Sequence, residues 1–102
     1  MEYYESFNVV AGYSDPVQIN YPGEFIFDVV ADHWGGGSVS IERSPRFKNK
    51  YSLVKDMYSE NSLVFTENAA SYLPGLGDYR VFCSGYENMS GVEVLINPFK
   101  SR

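Results

Sequence analysis

The residues best suited to nucleophilic chemistry in this chain are one cysteine and one histidine. Cys83 ends the run Tyr79-Arg80-Val81-Phe82-Cys83, which has the period-two pattern of a half-buried strand. A cysteine nucleophile needs a base, and His33 is the one histidine that could serve. The spacing leaves that pair possible, but the alternation places Cys83 on the face of Tyr79 and Val81, where a thiol packs as a small hydrophobe. We therefore expect a buried structural cysteine, and a lone cysteine leaves no internal disulfide.

Carboxylates are the second group that could carry a reaction or a ligand. Glu24 and Glu42 flank the central apolar segment, and a pair of facing carboxylates is what glycoside cleavage requires. Asp28 and Asp32 lie four residues apart, whereas a calcium loop places its ligands at alternating positions around a glycine. A solvated sheet face explains these acids more simply. One His and one Cys are too few for a zinc site. We predict no catalytic residues, no metal and no cofactor, and therefore a protein that is not an enzyme.

The strongest structural pattern lies in residues 25–42. Two alternating segments place these apolar side chains on one face: Phe25, Phe27, Val29, Ala31, Val39 and Ile41. Between the segments lie Trp34, Gly35, Gly36 and Gly37, and glycine permits the positive φ angles that a tight corner needs. No Lys-Ser or Lys-Thr follows these glycines, so they do not form a phosphate loop. We predict a β-hairpin with Trp34 and the three glycines as its structural corner.

Composition and turn spacing predict the fold class. The chain has 102 residues, 17% of them aromatic, which fits one domain and favours strands over helices. Turn signals such as Asp15-Pro16, Tyr21-Pro22-Gly23 and residues 74–78 recur at intervals of about ten residues. Such spacing is typical of an all-β antiparallel sandwich or jelly roll with about seven to eight short strands. We assign residues 14–102 to this single domain.

Residues 1–13 are predicted to form an extended N-terminal arm. Tyr3, Tyr4, Phe7 and Tyr13 make it more aromatic than a free tail, so these side chains are candidates for a partner interface. Two alternatives stay open, because a terminal strand can dock on another molecule or add itself to its own sandwich.

Charge and hydropathy exclude several partners. The formal net charge is −5, and six of the eight basic residues gather in two places: Arg43, Arg46, Lys48 and Lys50, and Lys100 with Arg102. Nucleic-acid binding needs a larger basic surface, so we expect no nucleic-acid partner. No apolar run is long enough to span a bilayer, and the acidic start does not resemble a secretory leader. We expect no membrane association, and we expect the protein to be synthesised in a cytoplasm.

Two motifs resemble those of small β-sandwich proteins encoded by tailed bacteriophages. The first is Trp34-Gly35-Gly36-Gly37 followed by the strand Ser38-Val39-Ser40-Ile41. The second is Leu73-Pro74-Gly75 with Tyr79-Arg80-Val81 before a closing strand. The resemblance extends from Glu24 to Ile96 and implies a structural protein of the virion.

Within that group the resemblance implies a capsid cement, or decoration, protein on the outer surface of the head. Its expected partner is the major capsid protein, and decoration sites favour a homo-oligomer, here a trimer. A tail-fibre module that binds a receptor or a carbohydrate is the alternative. It would share the sandwich and expose Trp34 and tyrosine rings as a platform.

Overall fold

The computed structural model describes residues 5–45, 48–59 and 63–100. Those residues form ten β-strands and one 3-10 turn, at Tyr86–Asn88. The strands are β1 (Glu5–Ser6), β2 (Gly12–Tyr13), β3 (Val17–Ile19), β4 (Glu24–Val30), β5 (Ser38–Pro45), β6 (Ser52–Leu53), β7 (Val64–Phe65), β8 (Ala69–Pro74), β9 (Gly77–Ser84) and β10 (Glu93–Lys100). The predicted all-β class is confirmed.

The strands form two antiparallel sheets that pack face to face. Sheet A has the order β1-β10-β4-β8. In sheet B, β9 pairs with β5; β2 and β3 share the other edge of β9, and β6 and β7 share the far edge of β5. This arrangement is an antiparallel sandwich, because one face of each sheet is apolar and is buried against the other.

The core consists of the inward faces of the long strands. β4 buries every second residue from Phe25 to Val29, and β5 does the same at Val39 and Ile41, as the alternation predicts. The other large, fully buried side chains come from both sheets: Ile19, Leu73, Tyr79, Val81, Val94 and Ile96. Cys83 is buried among them, which confirms the expected structural cysteine.

The predicted hairpin between β4 and β5 is wrong. β4 pairs with β10 and β8 in sheet A, whereas β5 pairs with β9 in sheet B. Their apolar faces therefore meet across the core instead of lying side by side. Alternation specifies which face of a strand is buried, but it does not specify which strand lies alongside. A hairpin and a crossing between sheets therefore produce the same sequence pattern.

The corner itself is a tight turn that passes the chain from one sheet to the other. Gly37 N donates to the carbonyl oxygen of Trp34 at 2.8 Å, and Gly35 and Gly36 have φ angles of 55° and 79°. Two successive positive φ angles define a type I′ turn. A Cβ atom at Gly35 would overlap the carbonyl oxygen of Asn88, so the 3-10 turn packs directly against this corner.

The described part of the N-terminal arm adds strands to its own sandwich. β1 pairs with β10 in sheet A, and β2 pairs with β9 in sheet B. Between them Phe7 and Val9 are buried in the core, where the Phe7 ring lies 6.3 Å from that of Phe27. Tyr3 and Tyr4 lie outside the described residues.

The sequence patterns predicted seven strands, which correspond to β3–β7, β9 and β10, and left β1, β2 and β8 without a counterpart. Two of them, β1 and β2, come from the arm, and their two-residue length is too short to show an alternating pattern. The third, β8, has the sequence Ala-Ala-Ser-Tyr-Leu-Pro, in which the buried positions are Ser71 and Leu73. A buried serine breaks the apolar alternation, so the pattern is lost there.

Candidate binding surfaces

The structure separates the two residues considered for nucleophilic chemistry. Cys83 lies inside the core, with its sulfur 3.6 Å from that of Met89. Burial, together with the charge of Glu87, raises the pKa of the thiol, which favours the unreactive protonated form. His33 is exposed at the corner and forms an isolated backbone bridge with Ser90. This geometry fits the structural role expected for Cys83.

The two glutamates considered as a carboxylate pair also lie apart. Glu24 is in sheet A and accepts a hydrogen bond from the Tyr58 hydroxyl. Glu42 is in sheet B, on the outward face, where it accepts from Arg80. The sandwich core lies between the two acids, so they cannot act on one substrate. Among the described residues no group of three His, Cys, Asp or Glu side chains could hold a metal ion.

A cleft of about 340 Å³ opens where β8 meets the loop before β7. Asp56 lies on its wall, and both carboxylate oxygens accept backbone N–H groups, from Tyr58 at 2.8 Å and from Tyr72 at 2.6 Å. Met57 N donates in turn to the carbonyl oxygen of Tyr72 at 2.9 Å. These bonds fasten the loop to the edge of β8 and assign Asp56 a structural role.

The outer face of sheet A exposes a patch of aromatic and aliphatic side chains. Ile26 pairs in register with Tyr72 on one side and Asn97 on the other. The Tyr72 ring contacts those of Phe99 and Tyr58, with centroids 4.7 Å and 5.4 Å away. Phe99 and Tyr58 are about half exposed. With Leu95, these side chains make up what we call the sheet A surface: Ile26, Tyr58, Tyr72, Leu95 and Phe99.

Carboxylates border the sheet A surface. Asp28 lies opposite Leu95, and Glu93 lies opposite Val30, each on the outward side of its strand. Glu24 stands at the other end and holds the Tyr58 hydroxyl. An apolar patch with a charged rim fits a protein-contact site, in which an apolar centre is bordered by polar groups.

The outer face of sheet B contains a different arrangement, centred on an ion pair. Arg80 Nε and Nη2 both lie 2.8 Å from Glu42 Oε1, and the two residues are directly opposite in the β5–β9 ladder. The guanidinium carbon lies 3.9 Å from the Tyr13 ring centroid and 4.3 Å from that of Tyr51. Phe82 packs on Tyr13 with centroids 4.7 Å apart. We call these five residues the sheet B surface.

At the sheet B surface the positive charge of Arg80 and the negative charge of Glu42 offset each other. Burial and the charge of Asp78 raise the pKa of the Tyr51 hydroxyl, while Arg80 opposes that shift. The hydroxyl is therefore protonated at neutral pH and can donate a hydrogen bond. Arg80 is thus held by a carboxylate and two ring faces, and cation–π contact adds to the ion pair.

The predicted interface and corner residues have different locations. Tyr13 is about half exposed and belongs to the sheet B surface, whereas the Phe7 ring is buried and offers no outer contact. Trp34 is partly buried against the core, and its Nε1 donates to Asn68 Oδ1 at 2.8 Å. Residues 34–37 therefore form the tight turn that connects the two sheets.

Sequence reasoning quoted Arg80 within a motif but assigned it no role, and it did not single out Tyr51, Tyr72 or Phe99. The alternation around Tyr79 and Val81 does place Arg80 and Phe82 outward. That signal shows exposure, but the cross-strand partner depends on which strand lies alongside, and the alternation of one strand does not specify its neighbour.

Comparison with known proteins adds no relative to this picture, since no family model, curated protein or solved structure matches the chain. In the part of the chain that the structure describes, no helix is long and apolar enough to cross a membrane. The fold is a small antiparallel sandwich with a cluster of partly exposed aromatic side chains on the outer face of each sheet.

Proposed function

We propose that this protein is a capsid decoration protein of a tailed bacteriophage and that it binds the head shell through the sheet A surface. The observation that carries the proposal is the cluster of contacting rings formed by Tyr58, Tyr72 and Phe99 on the outer face of sheet A, in which Tyr58 and Phe99 are about half exposed. The Trp34-Gly-Gly-Gly and Tyr79-Arg80-Val81 motifs resemble those of phage sandwich proteins, and this resemblance is the reason for proposing a phage head as the binding partner.

A rigid sheet face suits such a role because a decoration protein must bridge subunits without reorganising. The backbone of β4, β8 and β10 is fixed by the antiparallel ladder, so binding requires no ordering of the chain there. Aromatic side chains supply large contact area at low entropy cost. The role is one of binding, not of catalysis.

The charge of the rim indicates the kind of partner surface. Asp28 and Glu93 flank Leu95, so a complementary shell surface offers apolar groups bordered by Lys or Arg. We propose the major capsid protein as that partner and the outside of the head as the location. A homotrimer at the symmetric positions of the shell follows from the same proposal.

Binding to heads that lack the protein tests the proposal. The variant Tyr58→Ala/Phe99→Ala removes two exposed rings of the sheet A surface and leaves the core intact. We expect about tenfold or greater loss of affinity for purified heads, as for central interface residues elsewhere. Tyr13→Ala, on the opposite sheet, is the matched control and should bind heads normally.

Electron microscopy of the intact particle supplies the second test. The proposal expects density for the sandwich on the outer head lattice, with β4, β8 and β10 facing the shell. Density in a tail fibre, or absence from the particle, would overturn it.

A further inference from the structure

The sheet B surface presents a hydrogen-bonding pair whose charges cancel. Arg80 and Glu42 meet at 2.8 Å, and their side chains are 28% and 17% exposed. Two of the five N–H groups of Arg80 are directed at one oxygen of Glu42.

The Arg80–Glu42 ion pair favours a ligand that has no net charge. An anion would be attracted to Arg80 but repelled by Glu42, and the reverse holds for a cation. A hydroxyl can accept from a guanidinium N–H and donate to a carboxylate oxygen with the same group. Two neighbouring hydroxyls on one sugar ring can therefore bond Arg80 and Glu42 at the same time.

The two tyrosines add a surface for the apolar side of such a ligand. The Tyr13 side chain is 51% exposed, and Tyr51 lies partly exposed on the other flank of Arg80. The electron-rich face of an aromatic ring attracts the weakly positive C–H groups of a sugar ring. The ion pair and the ring contacts hold Arg80 in place before binding, so little side-chain entropy is lost.

We propose that the sheet B surface binds a neutral saccharide, with Arg80 and Glu42 bonding its hydroxyls and Tyr13 packing against its C–H face. This activity goes beyond the capsid contact, because it uses the opposite sheet. On a decorated head, that sheet faces away from the shell.

Titration of the full chain with a panel of neutral oligosaccharides, including glucose, galactose and N-acetylglucosamine oligomers, tests the proposal. We expect at least one member to bind and to shift the NMR signals of the Arg80 Nε–H group and the Tyr13 ring. Tyr13→Ala and Arg80→Met should each weaken that binding by about tenfold or more. Tyr58→Ala, on the sheet A surface, should leave the affinity unchanged.

Arg80→Lys keeps the positive charge, so it distinguishes a loss of binding contacts from a loss of folding. It should remain folded and still bind the saccharide, but more weakly than the original, since a flexible ammonium lacks the fixed planar donors and the ring stacking that hold the guanidinium in place. Failure of the whole panel to bind would overturn the proposal, and so would equal binding by all variants. Loss of head binding in Arg80→Met would identify the surface as a protein contact instead. If Tyr58→Ala/Phe99→Ala alone loses head binding, the result supports a head contact on sheet A and a separate saccharide site on sheet B.

Discussion

Asn68 connects two parts of the corner through a single amide oxygen. Its Oδ1 accepts from the Ala31 backbone N–H at 2.9 Å and from Trp34 Nε1 at 2.8 Å. One bond fixes the end of β4, and the other holds the indole ring over the end of the core. Trp34 therefore acts through both its ring surface and its N–H group.

Replacing Trp34 by Phe separates these two contributions. The variant keeps most of the ring contact and removes the N–H donor, so we expect a loss of about 1 kcal/mol of unfolding free energy. Trp34→Ala removes both and should cost about 3 kcal/mol, the lower end for a large aromatic, because the ring is only partly buried. Urea denaturation measures both values. Equal losses in the two variants would contradict the assignment.

Gly35 and Gly36 provide a matched pair for the turn. Both have positive φ angles, so alanine is strained at either position, by about 1–2 kcal/mol. At Gly35 the new Cβ would also overlap the Asn88 carbonyl, whereas at Gly36 it would meet no atom within 4 Å. Gly35→Ala should therefore lower the thermal midpoint clearly more than Gly36→Ala does. Equal midpoints would show that the 3-10 turn moves aside freely.

The short strands of the arm contribute to both sheets, although each has two residues. β1 and β2 extend the edges of sheets A and B, and the segment between them inserts Phe7 and Val9 into the core. Because they are short, these edge strands leave little open backbone for unwanted pairing. The arm therefore contributes to the fold. Because Phe7 and Val9 are buried, any capsid contact from the arm has to use its remaining side chains.

Two truncations distinguish folding from binding in the arm. Deleting residues 1–4 removes Tyr3 and Tyr4 and leaves β1 intact, so we expect a folded protein. Deleting residues 1–9 also removes Phe7 and Val9, and losing the Phe7 ring alone should cost about 3 kcal/mol or more. Thermal unfolding by circular dichroism should show a much lower midpoint for the longer deletion. A difference of less than a few degrees would mean that Phe7 contributes little to the core.

If the shorter deletion folds but no longer binds heads, Tyr3 and Tyr4 are shell contacts in addition to the sheet A surface. Normal binding by that variant would confine the contact to the body of the sandwich.

Stability of the complete sandwich should depend on alkaline pH through Tyr79. Burial raises the pKa of its hydroxyl well above the ordinary value near 10, and the hydroxyl donates to the Pro74 carbonyl oxygen at 2.6 Å. The unfolded chain therefore loses this proton at lower pH than the folded one. The resulting stabilisation is complete below about pH 10 and falls as the pH rises above it. Cys83 acts in the same direction, because its pKa is also raised.

Tyr79→Phe tests this contribution. It should lose about 1 kcal/mol at neutral pH with the hydrogen bond to Pro74, yet show a smaller decline in stability between pH 9 and pH 11. Tyr21→Phe, at an exposed ring, is the control and should decline like the original protein. An unchanged slope in Tyr79→Phe would exclude Tyr79 as a source of the alkaline loss.

Local patterns in the sequence determined which faces of the strands are buried. The alternation at Phe25, Phe27, Val39 and Ile41 correctly predicted the inward side chains of β4 and β5. Turn residues and aromatic content predicted an all-β sandwich. These properties follow from two-residue periodicity and from backbone preferences, which act between near neighbours.

Tertiary structure alone decided which strands lie side by side and which side chains meet. Arg80 and Glu42 are 38 residues apart, and Trp34 and Asn68 are 34 apart, yet each pair is in hydrogen-bond contact. β4 and β5, which are adjacent in sequence, lie in different sheets. Because pairing depends on how two apolar faces pack across one core, it is a property of the whole fold, and no local pattern encodes it.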